Sequence, residues 1–325
     1  MTVKLVDSKA PTPIAYNSSM RILFIGGTRF VGLAMAREAL RRGHVVDLFH
    51  RGTTSAKDLE GATHLHGDRS ADTSALARGQ WDAVVDACAY RPQEVDSMAE
   101  ALSGRFSKYV FVSTVSVYSD DVPHNADESA PRTSTAGVDP RASASKTIDP
   151  RTYGPLKVLC EDAVVARHAN RLIIRPTFVI GPEDYTQRFP EWVRRIAAGG
   201  EVDAPEPRDA ALQYIDARDL ATFVIAAIER DLQGTYNTAA PQPPFTYGQM
   251  LDEIVASVAP AGTRLRWLSV AEAKASGRTF PLWTEGESVG KLAVDSSAAL
   301  KYGLSSRPLR ESARDVLEWT RQGSA

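Results

Sequence analysis

Tyr153-Gly154-Pro155-Leu156-Lys157 places a phenol and an ammonium four residues apart, which on a helix is one face. An ammonium beside a phenol favours the phenolate. A tyrosine so placed can give or take a proton near neutral pH. Pro155 is expected near the start of that helix, where its missing N–H costs little. The spacing is common, and a lone copy reads equally well as a surface pair. A second group lies far upstream, in Gly26-Gly27-Thr28-Arg29-Phe30-Val31-Gly32, directly after an apolar run. Glycines at a strand-to-helix turn let the backbone approach a pyrophosphate, which then rests on the helix N-terminus. The bland alternative is a turn that serves only helix–strand packing.

Both groups need a frame, and the chain supplies one. Arg21–Gly26 reads as an apolar strand, and Phe30–Arg42 has helical period with Gly43 as its stop. His44–His50, Thr63–Leu65, Ala83–Ala87, Tyr109–Ser113 and Arg171–Ile174 read as further strands, the last after the helix that carries Tyr153. Apolar strands separated by helices predict an α/β fold, a doubly wound parallel Rossmann-type sheet with ligands at the carboxyl ends of its strands. The expected organisation is a tail over 1–19, a dinucleotide-binding domain over 20–180 and a small C-terminal substrate lobe over 181–325. The stretch 212–240 is expected to return to the main sheet. Prolines 182, 190, 205, 207, 241, 243 and 244 break the lobe into short elements, with helices predicted at Glu191–Ala198, Leu220–Arg230, Tyr247–Val258 and Leu309–Gln322. The lobe's tryptophans, Trp192, Trp267, Trp283 and Trp319, read as core anchors. The polar, turn-rich stretch 120–150 reads as one long loop, of the kind that forms a mobile lid.

With turn, strands and Tyr-x-x-x-Lys in this order, the chain over about residues 20–240 resembles the extended short-chain dehydrogenase/reductase family, its NAD-dependent epimerase/dehydratase group. Arg29 stands where that family has its middle glycine, as in the atypical branch that includes the chloroplast stem-loop-binding proteins. The resemblance implies a nicotinamide dinucleotide held by Gly26, Gly27, Thr28, Arg29, Phe30, Val31 and Gly32. It implies that Asp68, in His66-Gly67-Asp68, meets the adenine amino group, with Arg69 beside it. Ala87, Cys88 and Ala89 fall where the fourth strand ends beside the cofactor, and Pro176 and Val179 in Arg175–Pro182 flank the nicotinamide. Thr114, four before Tyr118, matches the catalytic hydroxyl that holds the reacting oxygen next to Tyr153. Lys157 would bind the nicotinamide ribose while tuning Tyr153. Asp216-Ala217-Arg218-Asp219 resembles a later family segment, and Tyr90 and Arg91 either touch substrate or cap a turn.

Three departures narrow the reading. Dehydratases of the family carry acids after the threonine, where this chain has Val115 and Ser116. Nucleotide-sugar members carry an arginine seven before the second aspartate of the late segment, where this chain has Leu212, which cannot clamp a diphosphate. Glu128 and Pro131 match the family's Glu-x-x-Pro early, so Arg132–Pro150 is an insertion expected to reshape or cover the substrate pocket. An acid at the end of strand two selects NAD. Eighteen residues past Gly32 stands His50, then Arg51, while Asp47 comes three residues too early and is expected to point into the sheet layers. Arg51 and Arg29 would meet a 2′-phosphate with paired charged hydrogen bonds. NADP is therefore the expected cofactor, with NAD the alternative.

Composition sets the outer limits. The 325 residues are 43% hydrophobic and 24% charged, and 38 basic against 40 acidic residues give a net charge of −2. That argues against a nucleic-acid arm or membrane-surface protein. Two cysteines, Cys88 and Cys160, cannot frame a disulfide scaffold, so the chain reads as cytoplasmic, with both thiols as small core residues. His64 and His66 alternate on one face, but no further ligand accompanies them and no metal is expected. The expected activity is hydride transfer to or from a small-molecule alcohol or ketone, with a homodimer possible. An epimerase using the same residues and an RNA-binding protein on the same scaffold are the alternatives.

Overall fold

Ile22, Leu23 and Phe24 are wholly buried and Ile25 almost so, as a strand covered on both faces requires. The computed structural model describes residues 19–54, 59–141, 149–285 and 290–322. Its elements run β1 (Arg21–Ile25), α1 (Phe30–Arg41), β2 (Val45–His50), β3 (Thr63–His66), β4 (Trp81–Asp86), α2 (Pro92–Ala101) and β5 (Phe106–Val112). They continue through α3 (Pro150–Arg167), β6 (Arg171–Pro176), β7 (Phe178–Ile180), α4 (Arg188–Ala197), β8 (Glu201–Pro205), β9 (Ala211–Asp216) and α5 (Ala217–Glu229). The rest is β10 (Gly234–Thr238), β11 (Ala240–Thr246), α6 (Tyr247–Val258), β12 (Arg264–Leu268), α7 (Val270–Ala275), α8 (Ser297–Lys301) and α9 (Leu309–Gln322).

Seven strands form one parallel sheet in the order β10-β6-β5-β4-β1-β2-β3. From β1 the chain moves outward to β3, then crosses back to β4 and on to β10. The direction therefore reverses between β1 and β4, and in such sheets the crevice outside the strand ends at this switch point takes the ligand. One face is packed by α1 and α5 through Leu33, Met35, Phe223 and Ile228, the other by α2 and α3 through Met98, Cys160 and Val164. A separate core, with Phe189, Trp192, Leu212, Tyr247, Leu251 and Val316, fills the lobe, and Trp267 and Trp283 pack against it.

Two expectations need correction. Of the stretch 212–240, β10 joins the main sheet and α5 packs on α1, but β9 lies in a second sheet between β7 and β11. The reason is burial, since Leu212 and Tyr214 of β9 face the lobe's core. Helix α3 begins at Pro150, so Pro155 is inside it rather than at its start. Asp149 starts it early by accepting the Arg151 N–H at 2.9 Å. β7 has only three residues and β11 holds three prolines, while the alternation in β8 (EVDAP) and β12 (RLRWL) runs for only four residues each.

The loop from Asp120 is hydrogen-bonded to its surroundings as far as Thr133, whose N–H meets the Val117 carbonyl at 2.8 Å. Asn125 donates to the Ala293 carbonyl at 2.6 Å, Glu128 accepts the Asn237 N–H at 2.7 Å, and Arg132 reaches Asp162 at 2.8 Å. Residues 142–148 of the insertion, and 1–18 of the expected tail, lie outside the described residues. No helix among the described residues is long and apolar enough to cross a membrane.

Candidate active site

The glycine turn is built for close approach. Gly26 has φ +84°, and a side-chain carbon there would meet the Cys88 Sγ at 2.5 Å. A carbon on Gly32 would lie 3.0 Å from the Gly26 carbonyl oxygen, so α1 rests directly on the turn. Packing alone would demand these glycines, but the helix start adds a second feature. Arg29 at the N-cap makes no side-chain capping bond, and no acid stands in the first turn. The first N–H groups of a helix, among them those of Phe30, Val31 and Gly32, have no intrahelical acceptor, and its N-terminus carries partial positive charge. Thr28 is buried, its N–H on the Gly26 carbonyl at 2.9 Å. A narrow backbone cradle against an uncapped helix end fits a dinucleotide's diphosphate.

The end of β4 differs from expectation. Arg69 does not offer its guanidinium to a ligand; it grips the wholly buried Asp86 with two bonds of 3.0 and 2.6 Å and caps the Glu94 carbonyl at 2.7 Å. Asp86 also accepts the Tyr109 hydroxyl and the N–H groups of Cys88 and Ala89. Burial opposes the Asp86 charge, but Arg69 prevails and holds the carboxyl below its usual range. A buried carboxylate needs a paired cation, so Arg69 shapes the turn that carries Ala87, Cys88 and Ala89 instead of lining the site. Burial pushes the Cys88 thiol up to about 11, which fits a packing residue beneath Gly26. Asp68 keeps a half-buried carboxylate that accepts the Ser70 N–H at 2.9 Å. Pro176 and Val179 are buried at the step from β6 to β7.

The Thr114, Tyr153 and Lys157 elements converge at the ends of β4 and β5. Thr114 follows β5, and its hydroxyl oxygen accepts the Ser116 N–H at 3.1 Å, capping a single helical turn over Val115–Val117. Helix α3 lies on that turn through Gly154. Lys157, one turn on and buried, donates to the carbonyls of Ala89 at 2.9 Å and Val112 at 2.7 Å. Its ammonium also sits over the rings of Phe111 at 4.5 Å and Tyr90 at 5.1 Å. The Tyr90 ring lies 6.3 Å from that of Tyr153, so Tyr90 belongs to the site, while Glu94 takes the Tyr90 and Arg91 N–H groups at 2.7 and 3.2 Å.

Glu161 was not foreseen, although it continues the Tyr153–Lys157 face by another four residues. It accepts the Ser113 hydroxyl at 2.6 Å and both arms of Arg175 at 2.9 and 2.7 Å. Arg175 in turn donates to Tyr118, whose hydroxyl donates to Asn237 at 2.7 Å. This buried network locks α3 against the strand end that carries Thr114. Tyr185 is another residue not foreseen, an exposed aromatic just past Gly181-Pro182.

At the end of β2, His50 meets the Nδ1 of His64 at 2.8 Å and lies ring to ring with His66 at 4.9 Å. Burial, then His64 and His66, lower the His50 pKa. Arg51 is exposed beside them. Asp47 is buried and accepts from Arg21 and Trp81 at 2.7 Å each, away from the strand end.

A sequence model of the NAD dependent epimerase/dehydratase family matches residues 22–239. The chain is 28% identical over 237 residues to the chloroplast stem-loop binding protein of 41 kDa b of Arabidopsis thaliana, covering 67% of this chain and 58% of that protein. It thus spans little more than half the length of that relative. Its structure is similar to the Bordetella bronchiseptica enzyme WbmG in complex with NAD, at a TM-score of 0.70 and 16% identity over 95% of this chain and 96% of that one. It is also similar to the UDP-glucuronic acid 4-epimerase of Bacillus cereus in complex with NAD, at a TM-score of 0.67 and 16% identity over 94% of this chain and 100% of that one. At such identities the structural likeness is one of fold.

Proposed function

The chain belongs to the NAD dependent epimerase/dehydratase family, and on that premise we propose that it transfers a hydride between a nicotinamide dinucleotide and a secondary alcohol or ketone of a small molecule. The observation that carries this reading is the seating of α3 on the Thr114 turn, with Lys157 of the same helix anchored at the ends of β4 and β5. The bound dinucleotide supplies the hydride chemistry, and the protein supplies position and field. Tyr153 gives its phenolic proton to the substrate oxygen on reduction and takes it back on oxidation. Thr114 accepts from Ser116, which leaves its O–H to turn from Ser116 Oγ, 3.2 Å away, towards the same oxygen. Lys157 has three donors and uses two on carbonyls; the third is left for the ribose that positions the nicotinamide. With Val115 and Ser116 after the threonine, no acid is placed to expel water, which speaks against dehydration.

For the cofactor we propose NADP(H) over NAD(H), because His50 and the exposed Arg51 stand where a ribose-binding carboxylate would select NAD. An epimerase is the second reading: it needs the same residues and returns the hydride to the opposite face, and the similar structures named above are complexes with NAD. RNA binding rests on the name of the Arabidopsis relative alone. A panel of secondary alcohols and ketones, followed through the absorbance of reduced nicotinamide, tests the first reading. Turnover of a member supports it; a protein that binds neither dinucleotide overturns it.

A further inference from the structure

The segment that follows β7 crosses the switch point. Its backbone takes the left-handed region at Glu183 (φ 67°) and Gln187 (φ 60°), conformations that side-chain-bearing residues hold only when their surroundings impose them. Arg37 of α1 imposes one of them, gripping both oxygens of Glu183 at 2.9 and 2.8 Å. Between these points Tyr185 projects, 56% exposed. On the β1 side its ring lies under the Arg29 guanidinium at 5.6 Å and edge-on to Phe30 at 6.5 Å. Phe30 is itself left-handed, at φ 37°. On the β4 side its phenol acts electrostatically on that of Tyr90, which stands over Lys157 and beside Tyr153.

Tyr185 therefore spans from the glycine turn to the proposed catalytic tyrosine, over the ends of β1 and β4. A dinucleotide with its diphosphate on the glycine turn and its nicotinamide ribose at Lys157 must run between those same two points. We infer that Tyr185 is a positioning residue that closes over the bound dinucleotide, held to the glycine turn by Arg29 and Phe30. The inference rests on the proposed function. Entry and exit then require the Tyr185 ring to leave both partners, while the ion pair of Arg37 and Glu183 keeps the strap in place. The consequence is slow release.

The test is the dissociation rate of the reduced dinucleotide, read as loss of its fluorescence on displacement by excess oxidised dinucleotide. Loss of an aromatic contact and a cation–π contact together corresponds to about tenfold faster release in Tyr185→Ala. Tyr185→Phe, which keeps the ring and its contacts with Arg29 and Phe30, is expected to release close to wild type. Glu183→Gln, which loosens the strap without touching the ring, is also expected to release faster. Tyr185 is exposed and outside the cores, so these variants fold, as circular dichroism will show. Binding with equal release rates in wild type and Tyr185→Ala overturns the clamp and leaves the proposed function standing. Failure of wild type to bind either dinucleotide overturns both.

Discussion

A side-chain carbon on Gly154 would stand 2.2 Å from the Ser116 carbonyl oxygen. Helix α3 can therefore approach the Thr114 turn only because the residue after Tyr153 has no side chain, and the obstacle is backbone that cannot swing aside. Gly154→Ala is expected to lower stability by about 1–3 kcal/mol, as overpacking does, and turnover by about a hundredfold, as a displacement of some 1 Å in a catalytic group does. Thermal unfolding and kcat measured together check this. A variant that loses stability while keeping full kcat would show that the approach does not position Tyr153.

The Glu161–Arg175 pair predicts a coupling. Both are buried, so Glu161→Leu strands the Arg175 cation and should cost about 3–5 kcal/mol. Replacing both by leucine should cost less than the sum of the two single changes. Chemical denaturation of the double-mutant cycle measures it, and additive costs would mean that the pair does not act as a unit.

Cofactor choice is tested at the end of β2. Arg51→Ala should weaken NADP(H) binding and leave NAD(H) binding nearly unchanged. His50→Asp, which places a carboxylate at the position that selects NAD, should invert the preference. Burial first, then the imidazoles of His64 and His66, lower the His50 pKa and favour its neutral form. As the pH falls below the ordinary imidazole range its protonation adds a cation, so the NADP(H) preference should grow. Calorimetric dissociation constants over that range decide the matter.

His168 predicts a pH dependence of stability. It is buried against the rings of Tyr109 at 4.1 Å and Phe106 at 5.4 Å. Burial, then Arg167, lowers its pKa to about 4 from the ordinary 6.5. The unfolded chain therefore binds the proton more readily. The stability is fully present above pH 6.5 and is lost as the pH falls towards 4, by up to about 3 kcal/mol. His168→Phe should lack that part of the slope. Identical acid profiles for variant and wild type would contradict it.

Much of the frame was legible because a parallel sheet buries both faces of its strands. Runs such as Arg21–Ile25 and Trp81–Asp86 carry that burial in their composition, and α6 and α9 have the bounds that their periodicity predicts. The Tyr153–Lys157 spacing was legible for the same reason, being local. What stayed hidden depends on contacts between distant segments. Arg69 reads as a free cation beside Asp68 until Asp86 is found buried against it. Tyr185 reads as a loop residue until Arg29 and Tyr90 are found on either side of it. The path of β9 into the second sheet turns on which core Leu212 and Tyr214 face, which no local pattern states.

Tyr153 moves the proton in the proposed hydride transfer, and Tyr153→Phe removes the hydroxyl that would do so. Wild type and variant are compared first for dissociation constants of both dinucleotides, then for the first-turnover rate of nicotinamide reduction or oxidation with a substrate found in the panel. Equal dinucleotide binding with a rate lowered about a hundred- to ten-thousandfold is the expected result. A variant that binds equally and keeps more than about a tenth of the wild-type rate would show that Tyr153 does not move the proton.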